Sequence, residues 1–454
     1  MIESFALNPR VGKAVLFMAD LCLIIIAMVA THVVRFGQID AIFSEAKHTL
    51  IYFFIILSVY YIFDLYRVQN TLGGIKAPGK TFIAATMAFL LMNIYVYLLG
   101  PENYSGLVLG RGIMAIFFGI FALATSTIRY LVIHLLVSVN QKYPWFFISS
   151  SYELDTYTDL SHQRTFPVYE LIKINYDINH DQELVAKLTG LQKKDVGGIV
   201  ILDSLKLSPL IEKELMRLKF SGIRILTLTQ FYEKMLFKIP LSAIHDFWFT
   251  TAEGFDLISN HLGLRIKRIL DIIWAILIIA LFLPFVILGC LLILLTSGLP
   301  IIYKQERVGE KGKPFTIYKL RTMVKNAEAN GPTWSSENDA RITFIGKILR
   351  ATRIDEIPQV INVLKGEMSF IGPRPERPLF VIQLENRLPY YNLRHLVKPG
   401  ITGWAQINYP YGSSEEDARQ KLQYDLYYIK SYSLIMDLNI LLQTIRVVLF
   451  GKGR

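Results

Sequence analysis

Residues 265–268 read Arg265-Ile266-Lys267-Arg268, and 269–295 continue as ILDIIWAILIIALFLPFVILGCLLILL. How this run meets a membrane decides the fold. About 27 helical residues at about 1.5 Å each reach roughly 40 Å, more than a bilayer core of about 30 Å. Length alone predicts a spanning helix. Both flanks are basic, with Arg265, Lys267 and Arg268 before and Lys304, Arg307, Lys311 and Lys313 after. The positive-inside rule keeps both on one side. Pro284 lies near the middle, where it removes a backbone donor and can bend a helix back. The expectation is a re-entrant membrane helix over 265–298, broken at Pro284, whose freed backbone groups find partners in neighbouring helices or side chains.

Upstream, four apolar runs cover Val15–Val34, Leu50–Leu65, Phe82–Leu99 and Ile113–Val137. They predict four transmembrane helices in a region 1–139. Arg10 and Lys13 precede the first, Arg67, Lys76 and Lys80 separate the second and third, and Lys142 follows the fourth. That bias puts the N-terminus in the cytoplasm and returns the chain there, so a fifth span would export whatever follows it. The first run is long enough to stay as an anchor, and no cleavable signal peptide is evident. Asp20 and Arg129 fall inside spans and Asp64 at the end of one; the favoured reading is that they snorkel to the cytoplasmic interface.

Composition agrees. The chain has 454 residues, 52% hydrophobic, with formal net charge +11, a pI near 9.3 and a mean hydropathy of +0.38. Soluble domains seldom reach that hydropathy. A basic membrane protein points to anionic lipid or a phosphorylated substrate. The basic residues form no nucleic-acid motif, so a nucleic-acid role is set aside. Cys22 and Cys290 both lie in apolar runs, which excludes a disulfide framework and a cysteine-rich zinc site.

Residues 140–255 read as a soluble cytoplasmic α/β domain. Strand-like runs at 145–148, 199–202 and 223–228 alternate with helix-like segments at 182–193 and 209–220. A nucleotide-binding Rossmann domain needs a glycine-rich turn after its first strand. Here that place reads Ser149-Ser150-Ser151-Tyr152. The domain is read as Rossmann-like without a phosphate loop, with a scaffolding or regulatory role.

Residues 256–454 carry the densest charged and Gly-Pro motifs. Ile342, Ile345, Ile348 and Leu349 recur at helical spacing, with Lys347, Arg350 and Arg353 turned mostly elsewhere, and this amphipathic helix runs into Asp355-Glu356-Ile357-Pro358. Adjacent acids among cations suit two purposes. One can be a nucleophile kept ionised by arginines, and the other can hold Mg²⁺. The plainer reading is a charged helix end with surface ion pairs. Trp404 reads as core, or as a platform for a uracil ring.

Context shifts that balance. Tyr318-Lys319-Leu320-Arg321-Thr322-Met323 lies upstream, and Gly366-Glu367-Met368-Ser369-Phe370-Ile371-Gly372-Pro373-Arg374-Pro375 and Lys398-Pro399-Gly400-Ile401-Thr402-Gly403-Trp404 downstream. This ordered set, over about residues 264–454, resembles the bacterial sugar transferase family, the monotopic phosphoglycosyl transferases. The preceding spans and α/β domain resemble its large membrane-anchored branch, which starts exopolysaccharide and O-antigen chains. Tyr409-Pro410-Tyr411-Gly412-Ser413-Ser414-Glu415-Glu416-Asp417-Ala418 looks like an exopolysaccharide subgroup.

The resemblance implies an α-rich catalytic domain at the bacterial inner membrane. It implies transfer of a sugar-1-phosphate, a hexose such as glucose or galactose, from a UDP-sugar to undecaprenyl phosphate. It implies Asp355 as nucleophile, Glu356 assisting with Mg²⁺, and Asp355 as a second metal ligand. Arg350 and Arg374 match phosphate-binding positions, with Arg353, Lys319 and Arg321 as further candidates; the last two read equally as an exposed strand edge. Asp425 and Asp437 are candidate metal or substrate ligands, with solvated helix faces the favoured alternative. A homodimer is left open. The rival readings are an inactive membrane scaffold of polysaccharide assembly and a transporter. The transporter has only Asp20, Asp64 and Arg129 for a polar path.

Overall fold

The computed structural model describes residues 9–36, 46–63, 65–66, 76–99, 111–142, 144–149, 171–176, 181–192, 196–203, 205, 207–255, 260–325, 327, 339–409, 412 and 414–449. Asp64, Ser150-Ser151-Tyr152 and Pro410, Tyr411 and Ser413 of the late motif lie outside them. The chain divides into two compact units, Met1–Leu236 and Phe237–Arg454.

The first unit opens with four apolar helices: α1 (Pro9–Phe36), α2 (Ala46–Ile62), α3 (Lys76–Leu99) and α4 (Arg111–Lys142). By length and composition α1, α3 and α4 can each cross a membrane, while the apolar part of α2, Leu50–Ile62, is shorter. Ala84, Ala85 and Ala88 are fully buried on one face of α3, where small side chains let helices approach closely. Asp20 and Arg129 do not snorkel. Both are 1% exposed and face each other across α1 and α4, Arg129 giving bonds of 2.8 and 2.6 Å to the two Asp20 oxygens. Thr125 adds a third at 2.9 Å, and the guanidinium lies 5.1 Å from the Tyr60 ring centre. A buried charge is costly unless paired, and here the partner sits on the facing helix rather than in water.

Next come β1 (Trp145–Ser149), β2 (Leu171–Asn175), α5 (Asp181–Thr189), β3 (Gly198–Ile201), α6 (Pro209–Phe220), β4 (Ile225–Thr227) and the short α7 (Leu228–Phe231). The strands form one parallel sheet ordered β2-β1-β3-β4. Three strands and both helices fall where the alternation put them. β2 was missed. Ile148, Ile199, Leu184, Leu188, Ile211 and Leu218 form the core between sheet and helices.

The second unit begins before residue 256. Ile239, Leu241 and Ile244 are buried in its core. The Trp404 indole donates to Phe237 O, and Ile239 N donates to Gln423 O. Phe255 N donates to Lys430 O. The segment 237–255, including α8 (Asp246–Thr251), therefore packs as a strap on this unit. Trp404 is core, 5% exposed and stacked on Tyr427.

α9 (His261–Ser297) carries Pro284 inside a continuous helix, so the expected break is not an interruption of helical structure. The proline costs the single bond that its missing N–H would make. Exposed Ile269, Ile276, Leu281, Ile287 and Leu295 line the helix. Its start is tied to the unit: Lys267 pairs with Asp437 at 2.6 Å, and Asp271 accepts from Ser369 Oγ and Phe370 N. Its end is tied too, Ser297 O and Gly298 O each accepting from Arg321 at 2.7 Å.

The rest comprises an antiparallel hairpin, β5 (Ile302–Val308) and β6 (Pro314–Leu320), then α10 (Phe344–Ala351), α11 (Val360–Lys365), β7 (Ser369–Ile371), α12 (Pro378–Arg387), β8 (Gly400–Thr402), α13 (Trp404–Asn408), α14 (Glu415–Lys430) and α15 (Leu434–Leu449). The core gathers Val360, Val363, Met368, Phe370, Leu422 and Leu426 around Ala275 of α9.

Candidate active site

The helix expected to run into the acidic pair is shorter than its pattern. Thr343 caps α10 by accepting from Gly346 N at 3.0 Å, and Ile342 before it bridges Met323. α10 ends at Ala351, and Arg353 follows in the left-handed region (φ +58°). A non-glycine residue there costs about 1–3 kcal/mol and marks a position held by its surroundings. The turn starts a separate 3₁₀ segment, Ile354–Gln359, that carries Asp355 and Glu356 inward, 6% and 9% exposed. They are not a solvated helix end.

Glu356 is enclosed by cations. Arg374 donates at 2.6 Å and Lys319, projecting from β6, at 3.0 Å, both to Oε1; Arg353 stands 3.9 Å from Oε2. Burial alone would raise its pKa, but Arg374, Lys319 and Arg353 overcome this and hold it well below the usual glutamate range. Asp355 is the opposite case. Burial, with the neighbouring Glu356 charge, pushes it up to about 6 against Lys319, Arg350 and Arg353. Its Oδ1 is buried with no hydrogen-bond partner. One acid is locked as a carboxylate; the other keeps a buried oxygen with no hydrogen-bond partner.

Two distant motifs converge to place Arg374. β7 and β8 pair in parallel, Ser369 with Gly400 and Ile371 with Thr402. Gly372 N donates to Thr402 O, and Gly400 N to Pro373 O. A Cβ on Gly400 would collide with Gly372 N, so this crossing admits only glycine. Arg394 then fixes the turn from behind, donating to Arg374 O at 2.8 Å and to Tyr391 Oη at 2.6 Å.

The structure thus groups Asp355, Glu356, Lys319, Arg353 and Arg374, with Arg350 acting on Asp355 while its Nε bonds Thr322 Oγ1 at 2.8 Å. Arg321 does not join them: it is buried and caps the carbonyl end of α9. Asp425 and Asp437 are not on solvated faces. Asp425 pairs with Arg394 at 2.9 Å, and burial pushes it up to about 6. Asp437 belongs to the Lys267 pair and accepts from Tyr428 Oη at 2.8 Å. Arg394, and Arg307 with its 3.3 Å contact to Glu376, were missed as site residues. Arg307 stood in plain view, but as a flanking charge.

Among the described residues no group of three or more His, Cys, Asp or Glu could hold a metal. A Mg²⁺ site made of one or two carboxylates and completed by substrate phosphates and water still fits, because Asp355 Oδ1 is an unmatched buried acceptor beside Glu356.

Comparison with known proteins agrees with the motifs. Residues 262–451 match the bacterial sugar transferase family. The UDP-N-acetylgalactosamine-undecaprenyl-phosphate N-acetylgalactosaminephosphotransferase of Aeromonas hydrophila is 39% identical over 242 residues, 53% of this chain; the match spans about half of that relative's length (56%). The UDP-glucose:undecaprenyl-phosphate glucose-1-phosphate transferase of Caulobacter vibrioides is 42% identical over 181 residues, 39% of this chain and 68% of that protein. The exopolysaccharide production protein PSS of Rhizobium leguminosarum bv. phaseoli is 37% identical over 199 residues, 42% of this chain and 100% of that protein. With identities of this size covering two thirds or more of two of these relatives, and the motifs in one order around one site, the chain belongs to the bacterial sugar transferase family.

Proposed function

We propose that the protein transfers a sugar-1-phosphate from a UDP-sugar to undecaprenyl phosphate, in two steps through Asp355. The carrying observation is the asymmetry of the acidic pair: Glu356 is saturated by cations, while Asp355 Oδ1 is buried and unpartnered. In the first step a carboxylate oxygen of Asp355 bonds to the sugar-bearing phosphorus of the donor. The bond from that phosphorus to the bridging oxygen breaks, and UMP leaves with the electron pair. In the second step a phosphate oxygen of the polyprenyl acceptor attacks the same phosphorus and frees the carboxylate. Splitting the transfer spares two bulky anions from meeting directly. Arg374, Arg350, Arg353 and Lys319 offset charge on the phosphates, the guanidinium fork suiting phosphate oxygens. Asp355 and Glu356 would hold Mg²⁺ against the donor phosphates, where the ion would further offset that charge.

Topology supports the same reading. The start of α9 is bonded to Asp437, Ser369 and Phe370, and its end to Arg321, all in one unit. A helix spanning a bilayer of about 30 Å would leave its two ends facing opposite compartments. A re-entrant α9, dipping in from the cytoplasmic side, lets one folded unit hold both ends and keeps Asp355 with cytoplasmic UDP-sugar. The parallel sheet of residues 145–227 is read as a Rossmann-like scaffold.

The test is direct. Purified protein is incubated with UDP-sugars labelled in the sugar, without acceptor. Label should appear on the peptide containing Asp355, with release of UMP, and Asp355→Asn should abolish both. Normal turnover by Asp355→Asn would sink the assignment; no UMP from any UDP-sugar would favour an inactive scaffold.

A further inference from the structure

Gly366 ends α11 in the left-handed region (φ +83°) and brings together two residues 130 positions apart, Arg268 and Lys398. A Cβ placed on it would lie 3.7 Å from both the Arg268 guanidinium and the Lys398 ammonium. The two cations are therefore no farther apart than twice that distance. Arg268 donates to Val363 O and Leu364 O at the carbonyl end of α11. Lys398 is held by its own turn, Pro399 O accepting from Ser369 N and Pro373 O from Gly400 N, both at 2.9 Å. Among the described residues no carboxylate pairs with either cation, whereas neighbouring Lys267 is neutralised by Asp437. Two like charges this close repel, and the repulsion is relieved by an anion between them.

The surroundings identify the anion. Arg268 stands where the exposed apolar run of α9 begins, and Ile269 after it is 58% exposed. Ile361 and Leu364 on α11 are 47% and 40% exposed, and Leu396, just before Lys398, is 40% exposed. Exposed apolar side chains rimmed by paired cations, continuous with a membrane helix, fit a headgroup with its acyl chains below. Asp355 lies on the 3₁₀ segment that precedes α11, and Gly366 lies at the far end of α11, so the two cations gather at the end of that helix away from the reactive acid. We propose that Arg268 and Lys398 form a binding site for the phosphate of an anionic bilayer phospholipid, whose chains lie along Ile269, Ile361 and Leu364. The site is independent of the activity assigned above and would anchor the unit at a set depth in an anionic leaflet.

Native mass spectrometry of the full chain in detergent, titrated with phosphatidylglycerol or phosphatidylcholine, tests this. The unaltered protein should retain one phosphatidylglycerol preferentially. Lys398→Gln should weaken that retention about fivefold, the usual worth of one basic residue at an anionic surface. Lys304→Gln, at the other flank of α9, should leave it unchanged. Equal retention of the two lipids, or equal losses in the two variants, would overturn the proposal. So would displacement of phosphatidylglycerol by undecaprenyl phosphate together with a raised acceptor KM in Lys398→Gln, because the site would then belong to the acceptor.

Discussion

Asp355→Asn should cost the protein its chemistry and make it more stable. Asp355 stands at about 6 in the folded chain against an ordinary 3.8. Each pKa unit corresponds to about 1.4 kcal/mol, so ionising this buried acid costs about 3 kcal/mol at neutral pH. The sign follows from proton counting. Between those two values the folded state holds a proton that the unfolded state has released. Stability is therefore greatest below the lower value and falls as pH rises through the upper one. Asparagine carries no charge and escapes that fall. Its amide introduces a donor with no acceptor facing it, at about 1 kcal/mol, leaving about 2 kcal/mol at pH 8. For a unit of this size that is about 4–8 °C in apparent Tm. At pH 5 most of the native acid is protonated, and the advantage should shrink by about 1.4 kcal/mol. The assay is thermal unfolding at fixed scan rate in EDTA, so that only the carboxylate changes charge, at pH 5 and pH 8. A variant no more stable than the parent at pH 8, or an advantage equal at both values, would refute the argument that the site stores unfavourable charge for reaction.

Three further outcomes are expected. Transfer should rise with pH through about 6 as Asp355 ionises, measured as UMP release in a constant-ionic-strength buffer; a flat profile from pH 5 to 8 would mean that another group limits the rate. A chain truncated to 237–454 should fold and one truncated to 256–454 should aggregate, because Ile239, Leu241 and Ile244 are buried and together contribute about 5–9 kcal/mol, comparable to the stability of a whole domain; equal circular dichroism melts would contradict this. Single cysteines at Arg265 and Lys311, with Cys22 and Cys290 replaced, should both resist a membrane-impermeant thiol reagent until the inner membrane is opened, and labelling of Lys311→Cys alone in cells with a permeabilised outer envelope would show that α9 spans.

Much of the fold was legible because its signals are local. Apolar length marked the membrane helices, and alternation marked β1, β3 and β4. β2 escaped because Leu171–Asn175 is short and its two isoleucines, Ile172 and Ile174, are only half buried; the strand exists through pairing with β1. The strap was given to the wrong side of a boundary for a similar reason. Nothing local in Phe237–Phe255 says that its backbone bonds go to Gln423, Lys430 and Trp404. Asp20 and Arg129 could be seen as intramembrane charges, but not that they meet across 109 residues.

The site divides along the same line. The acids and Arg374 stand out in the sequence because each sits in a local motif whose order carries information. What each residue does electrostatically was not findable, because it depends on neighbours brought in from elsewhere. Lys319 and Arg321 lie two apart near the end of β6 and read alike. In the structure one neutralises Glu356 and the other caps α9, since Lys319 is still within β6 while Arg321 lies just past the strand's last residue, Leu320, where strand alternation no longer sets the direction of the side chain. The same reasoning gives the two prolyl-glycyl motifs one purpose: β7 and β8 exist to carry Arg374 to Glu356, with Arg394 and Asp425 behind it. The acid left without a partner at the end of that chain of compensation is Asp355. Its Oδ1 oxygen, set among Lys319, Arg350 and Arg353, is where the proposed bond to phosphorus would form.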